Sequence, residues 1–443
     1  MNRAERAVAA ALRRDRPLSR FLRRLTRSVS DAGGAAFLAG GFLRDIADGK
    51  PGADVDVMVS GLSHGELGEA LDALSRMRLG IRKVVPAGRH FPVYRVATRW
   101  SGRYVDVATA RGAVGSTVRV PFASALADAS RRDFTINSLL YVLLPRGNRL
   151  AGELIDPFDG IADLTGWTIR CVGAPGDRLR EDPVRALRAI RMKNERKGYR
   201  IDPGTWRAIR SLAPSLLPAV SAERLAGELV RSLQADPAGT LDDLCRSGIL
   251  RALLPELARR RLGTARARCR FASLARSVRG PVPPTLLLAN LLLDLDFGEA
   301  EAAARRLRLP NVRRVLSAAS DLRALRRTET MRHPLARTEQ ILRRQEDPDV
   351  FIALYRAAAA CDGVRGKDLK RFIRLCSKTP YFIDGNDLQR MGFPEGPERE
   401  EALQAIREAA LEGKIRGREE ALEHPSLRRR RNRPSGEDRT RRS

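Results

Sequence analysis

The strongest constraint on the fold is a change of period near residue 175. Between about residues 35 and 170 the apolar residues fall in short β-type runs, Ala35–Leu38, Val55–Val59, Val93–Thr98, Tyr104–Thr109 and Thr168–Val172. Gly, Pro and charged segments separate them, and helical stretches fit at 41–48 and 64–77. From about 176 the strand signals fade. Amphipathic helical segments then follow almost continuously to about 423, punctuated by Pro and Gly. A chain of 443 residues is too long for one compact core. The expected fold class is α+β, an N-terminal α/β head with a mixed sheet followed by an elongated all-α neck, body and tail.

The ends differ from both parts. Residues 1–30 hold nine arginines against Glu5 and Asp15, and Leu18, Phe21, Leu22, Leu25 and Val29 have helical spacing. A basic amphipathic helix is expected there; an Arg-rich start of this kind also suits an organelle transit peptide. Residues 428–443 carry eight Arg, two acids and almost no apolar side chain, which predicts disorder. The expected division is 1–30, head 31–175, neck 176–235, body 236–330, tail 331–427 and the Arg-rich end 428–443. The whole chain has 82 Lys+Arg against 53 Asp+Glu, a net +29. Such a surplus implies a polyanionic partner, with nucleic acid ahead of an anionic membrane. The longest apolar stretch, Leu286 to Leu293, is interrupted by Asn290, is too short to span a bilayer and reads as a buried helix. The five cysteines stand far apart without zinc spacing, so reduced core thiols in a cytoplasmic protein are expected.

The chemistry concentrates in the head. Leu38-Ala-Gly-Gly-Phe-Leu-Arg-Asp45 ends a strand and opens a helix. Gly40 and Gly41 allow a tight turn and close approach of a ligand, the helix start presents N–H groups that suit a triphosphate, and Arg44 adds a positive charge. The next strand, Ala53-Asp-Val-Asp-Val-Met-Val59, puts Asp54 and Asp56 on one face while Val55 and Val57 enter the core. Two neighbouring carboxylates repel each other, and Mg²⁺ relieves this while binding substrate phosphates. An isolated pair of this kind is also compatible with a plain exposed strand face. Asp106 alternates with Val105 and Val107, and it completes an acidic trio if its strand neighbours the first.

Further blocks follow. Asp128 and Arg131-Arg-Asp-Phe-Thr-Ile-Asn137 read as the opening of a helix, with acids at its N-terminal end and Arg131 and Arg132 in reach of a triphosphate. Asn137 suits a ribose hydroxyl or terminal RNA group, or equally an amide inside a helix. Asp156-Pro-Phe-Asp-Gly160 with Asp163-Leu164 reads as a turn. Glu181-Asp-Pro-Val-Arg185 with Arg188 places Asp182 and Arg185 three apart, on one face of a helix. One acceptor and one donor match the exocyclic amine and acceptor nitrogen that cytosine and adenine share, and not uracil or guanine. A surface ion pair is the plain alternative.

Together with Glu223-Arg-Leu225, Glu228-Leu229, Asp384-Gly-Asn-Asp-Leu388, Gly392 and Glu395-Gly-Pro397, these blocks resemble, in order, those of class II tRNA nucleotidyltransferases and bacterial poly(A) polymerases. Those enzymes belong to the DNA polymerase beta-like nucleotidyltransferase superfamily. The resemblance covers about 35–235 and 380–422. It implies a nucleotidyltransferase head, Mg²⁺ held by Asp54 and Asp56, and Asp106 as a third catalytic acid. It also implies nucleotide binding by Gly40, Gly41, Arg44, Asp128, Arg131, Arg132, Asp133, Asn137, Asp182, Arg185 and Arg188, with Asp182 and Arg185 as a protein template for the base. The implied substrates are ATP, CTP and an RNA 3′ end, that of tRNA first, with no membrane partner. Poly(A) polymerase is the alternative enzyme, and a catalytically silent RNA-binding protein the alternative of another class. Two segments depart from the family: Met192-Lys-Asn-Glu-Arg-Lys197 replaces an aromatic residue and alanines, and the connection from Arg111 to Arg131 is short.

Overall fold

The computed structural model describes residues 3–49, 54–77, 79–87, 92–100, 104–110, 121–327, 335–345, 347–361 and 369–428. The expectations of a disordered end beyond 428 and of a short connection after Arg111 fall outside these residues. The chain divides into two compact units, one of Met1–Ala235 with Asp243–Leu253, the other of Asp236–Asp242 with Leu254–Ser443.

The first unit opens with two helices instead of one, α1 (Arg3–Arg14) and α2 (Arg16–Asp31). Asp15 divides them, its carboxylate capping α2 by accepting from the Leu18 N–H at 3.1 Å. Leu18, Phe21, Leu22, Leu25 and Val29 are buried along one side of α2, joined by Val8 and Leu12 of α1. Each such side chain contributes about 1.5–3 kcal/mol of transfer free energy, so the basic N-terminal segment is a wall of the head's core.

A seven-stranded sheet follows, in the order β3-β4-β5-β2-β1-β6-β7. Its strands are β1 (Ala35–Ala39), β2 (Val55–Ser60), β3 (Ile81–Ala87), β4 (Val93–Thr98), β5 (Tyr104–Thr109), β6 (Leu140–Arg146) and β7 (Arg149–Ile155). Only β2 and β5 pair in parallel; every other adjacent pair is antiparallel. Strand alternation sorts the side chains. Val55, Val57, Val59, Val105 and Val107 face a core completed by α1, α2, α3 (Gly40–Ala47) and α4 (His64–Ser75). Phe37, Ala39, Met58, Leu140 and Val142 face the other side, where Ala125 and Ala129 of α5 (Pro121–Ser130) cover them. Asp56 and Asp106 share this second side, and Asp54 immediately precedes β2.

After β7 come α6 (Gly160–Thr165), the short strand β8 (Thr168–Ile169), α7 (Pro175–Glu181), α8 (Val184–Glu195), β9 (Arg200–Ile201), α9 (Pro203–Leu216) and α10 (Ala222–Ala235). The run expected as a strand at Thr168–Val172 shrinks to β8, which pairs with β9 outside the main sheet.

The described part of the second unit is helical. Leu286–Leu293 is buried as expected, and its polar interruption has a physical reason. Arg270 is fully buried, donates to Asn290 and pairs with Asp294 at 2.6 Å. The expectation of five reduced core thiols is corrected. Cys269 and Cys361, 92 residues apart, form a disulfide between helices Arg261–Ser277 and Pro348–Cys361. Helix packing brings these residues together, and spacing along the chain carries no trace of it. Cys171 and Cys376 are free and buried, whereas Cys245 is exposed.

Candidate active site

Three registers assemble the carboxylates. Asp56 lies opposite Asp106 in the β2–β5 pair and opposite Ala39 in the β2–β1 pair, while Arg95 of β4 lies opposite Asp106. One row therefore crosses four strands: Arg95, Asp106, Asp56, Ala39. Asp54 lies in the bend just before β2, two residues ahead of Asp56, and is exposed. Burial is the main cause that pushes the Asp56 carboxyl up, to about 6; Asp106 and Asp54 push the same way, opposed by Arg132 and the Gly41 N–H. A cation against this carboxylate would remove the penalty. Asp106 is engaged differently, since Arg95 donates to both of its oxygens, at 2.9 and 2.8 Å.

The glycine turn closes the end of the row. Gly40 has φ +69°, and a Cβ there would lie 2.8 Å from Asp56 Oδ2 and 3.2 Å from Arg132 Nη1. Any side chain would be strained and would displace the carboxylate or the guanidinium. Arg132 is held by Asp128, at 3.1 Å, and donates to the Asn137 carbonyl, also at 3.1 Å.

A second set of expected residues forms a hydrogen-bonded chain. Arg44 donates to Asn137 Oδ1 at 2.7 Å, Asn137 Nδ2 donates to Asp133 Oδ1 at 2.8 Å, and Arg188 Nη1 donates to Asp133 Oδ2 at 3.0 Å. Burial pushes the Asp133 carboxyl up, but the charge of Arg188 and hydrogen bonds from Asn137, Arg188 and the Phe134 N–H outweigh it and hold it below the usual carboxylate range. The local backbone corrects one expectation. Asp128 lies in the last turns of α5, and Arg131–Asp133 form the turn after it, so these residues close a helix instead of opening one. Asn137 sits in a single 3₁₀ turn, Thr135–Asn137. The Asp156–Asp163 turn braces that element. Asp156 caps α6 through the N–H groups of Gly160 and Ile161, and Asp163 accepts from Thr135 Oγ1 at 2.7 Å.

Asp182 and Arg185 do not share a helical face, which corrects the expected geometry. Asp182 ends α7 in an extended conformation, φ −150° and ψ 97°, and α8 begins after Pro183. Its carboxylate accepts two bonds from Arg224, at 3.0 and 2.8 Å. Arg185 is buried and donates to Glu181 at 2.6 Å, to the Arg178 carbonyl at 3.1 Å and to the Arg131 carbonyl at 2.8 Å. The departing segment 192–197 has a binding role within this unit. Lys193 and Asn194 donate to Asp243, and Arg196 pairs with Asp45 of α3 and with Asp48, its C-cap.

Arg95, Glu181, Arg224 and Glu228 were not foreseen as parts of the site. The last is buried and takes Arg188, Arg191 and Arg231. Arg95 had a visible signal, because it occupies the polar phase of an alternating strand; Arg224 and Glu228 stood within a recognised block without an assigned partner.

Residues 36–170 match the family described as the poly A polymerase head domain, and residues 198–260 match that described as the probable RNA and SrmB-binding site of polymerase A. A CCA-adding enzyme of Geobacillus stearothermophilus is 30% identical over 90% of this chain and 94% of its own length. Poly(A) polymerase I of Escherichia coli O6:H1 is 34% identical over 52% of this chain and 49% of its own. Among solved structures, the Bacillus stearothermophilus CCA-adding enzyme in complex with CTP superposes with a TM-score of 0.66, at 25% identity, covering 92% of this chain and 96% of that one. The Thermotoga maritima CCA-adding enzyme complexed with tRNA reaches 0.67 at 23% identity, over 91% and 93%.

Proposed function

We propose a function from the premise that this chain belongs to the family of class II tRNA nucleotidyltransferases and bacterial poly(A) polymerases: it adds C and A to the 3′ end of tRNA, completing all or part of CCA, from CTP and ATP. The family is one of nucleotidyltransferases, and the carboxylate row beside the glycine turn is the observation that carries the reading. The 3′ hydroxyl attacks the α-phosphate, the bond to the bridging oxygen breaks, and pyrophosphate leaves with its charge. Catalysis of this kind is mostly positioning and charge neutralisation.

The residues divide the work. Asp54, exposed, and Asp56, whose carboxyl is pushed up to about 6 by burial and neighbouring acids, fit a divalent cation, and Mg²⁺ bound there would polarise the phosphate and lower the pKa of the attacking hydroxyl. Gly40 lets the backbone pass close to Asp56 and Arg132, and a phosphate would meet the N–H groups at the start of α3 with Arg132 beside them. Asp133 and Asn137, fixed by Arg44 and Arg188, hold the sugar end of the nucleotide. Asp182 and Arg185 read the amine edge of C or A after exchanging their present partners. Among the described residues no helix is long and apolar enough to cross a membrane. With a net +29, the chain suits an RNA partner.

The relative from Escherichia coli favours a second reading, a poly(A) polymerase using the same head. One experiment separates them: a tRNA transcript lacking its terminus and an unstructured RNA are each incubated with ATP, CTP or both, and the 3′ ends are sequenced. Short C and A additions confined to tRNA are expected. Long A tracts on the unstructured RNA, with little preference for tRNA, would establish the polymerase.

A further inference from the structure

The second acid of the row, Asp106, is already spoken for. Arg95 and Asp106 face each other directly across β4 and β5, and Nε and Nη2 of the guanidinium take one carboxylate oxygen each, at 2.9 and 2.8 Å. A parallel two-bond pairing of this kind is the strongest and most directional that a carboxylate makes with a side chain. The guanidinium also lies over the Tyr104 ring, 5.2 Å from its centre, which holds it from a further side. Consistent with this, no group of three or more His, Cys, Asp or Glu among the described residues is arranged to hold a metal ion.

We propose that Arg95 is a positioning residue that withholds Asp106 from the metal, so that the enzyme without nucleotide offers a cation only Asp54 and Asp56, and the cation enters together with the nucleotide's phosphates. The inference rests on the metal-dependent reading of the site. Two carboxylates make a weak site for Mg²⁺, which dehydrates reluctantly and is ordinarily bound by one or two carboxylates plus substrate phosphates. Three carboxylates would hold the ion before substrate arrives and would not couple its binding to the nucleotide. The row achieves the coupling by charge placement: Arg95 stands outside Asp106 and Arg132 beside Asp56, so the site between them lacks only the cation that a metal–triphosphate complex brings.

The test is binding of Mn²⁺ to the full chain without nucleotide, followed by the electron paramagnetic resonance of the free ion. Arg95 is half exposed, its side chain at 47%, so replacing it leaves the fold standing, which circular dichroism of each variant verifies. Arg95→Ala is expected to tighten Mn²⁺ binding about tenfold or more, because a third carboxylate becomes available. Arg95→Lys should restore most of the weak wild-type affinity. The double variant Arg95→Ala/Asp106→Asn should lose the gain of Arg95→Ala. No change in Arg95→Ala, or a gain that persists in the double variant, would overturn the proposal while leaving the metal site in place. Wild-type protein that binds no Mn²⁺ even with ATP would overturn the metal reading itself, and this proposal with it.

Discussion

The carboxylate row and the Asp182–Arg185 junction both carry charged side chains, but they are held in different ways. The row stands on hydrogen-bonded strands whose register fixes spacing: Asp56 opposite Asp106, Asp106 opposite Arg95. Burial pushes the carboxyl of Asp56 up, to about 6. The junction is a break between two helices, and its groups are satisfied, Asp182 by Arg224 and Arg185 by Glu181 and two carbonyls. On the proposed function, the row would take the cation and the junction would exchange partners to read the base, so variants should separate rate from selectivity.

The largest effect tests the row. Asp54→Ala or Asp56→Ala should lower kcat by at least about a thousandfold, several kcal/mol of lost transition-state stabilisation. RNA affinity, measured by filter binding, should stay within about twofold. Turnover within tenfold of wild type would break the claim that these acids hold the metal.

Acid titration contrasts the two regions by sign. The folded pKa of Asp56, about 6, lies above its unfolded value near 3.9. Its contribution to stability is therefore full at low pH and lost as pH rises through about 6. In chelator, Asp56→Asn should stabilise the protein at pH 7.5 by on the order of 2–3 kcal/mol and do little near pH 4. Asp133 is held below the usual range, so its contribution is present at neutral pH and lost on acidification. Asp133→Asn should thus destabilise at pH 7.5, where urea midpoints would move in opposite directions for the two variants. Midpoints moving the same way would show that the electrostatic contrast is misassigned.

How much of this was legible follows from the kind of element. The row was readable because Asp54, Val55, Asp56 and Val57 alternate with a period of two, and a strand keeps that phase wherever it starts. The junction was not, since an i,i+3 relation holds only inside one helix. The sequence carried the warning: Asp182 precedes Pro183, and a residue before proline avoids the helical region. The β6–β7 hairpin was likewise missed, although Gly147-Asn148 between apolar runs is a hairpin signal. β3 carries Pro86 and few buried side chains because it is an edge strand, which leaves almost no pattern to read. The disulfide and the Arg95–Asp106 pair depend on tertiary neighbours, which no local period reports.

Selectivity sharpens the other half of the contrast. Asp182→Ala should relax the preference for ATP and CTP over UTP and GTP by about tenfold, within the 1–3 kcal/mol of a good two-bond base contact, with kcat for ATP changing less. Arg185→Ala is a poorer probe, because leaving its buried acceptors without a donor costs about 1–3 kcal/mol of stability; Arg185→Lys avoids most of that. Arg224→Ala discriminates further. If Asp182 leaves Arg224 to meet the base, removing Arg224 lowers KM for CTP and ATP with their order intact. Unchanged ratios among all four nucleotides in Asp182→Ala would place base reading elsewhere.

The smallest effect is expected from charges with no assigned partner at all. Residues 428–443 contribute eight Arg against Glu437 and Asp438, a net +6. Positive charge on a short polar segment neutralises phosphates without regard to sequence. Each phosphate that is no longer neutralised makes the slope of log K against log salt shallower by about 0.7 for single-stranded RNA or 0.9 for a duplex. Removing these residues should therefore weaken RNA binding most at low salt and flatten that slope by a few units at most. The nucleotide added, the order of preference and kcat at saturating RNA should not move, because neither the row nor the junction is touched. A changed nucleotide preference would tie the Arg-rich end to the junction, and an identical salt slope would mean that the segment does not touch the RNA phosphates. A changed preference would extend choice beyond the junction, while a flatter slope alone would add a third task, capture of the RNA, to the rate and choice assigned to the other two regions.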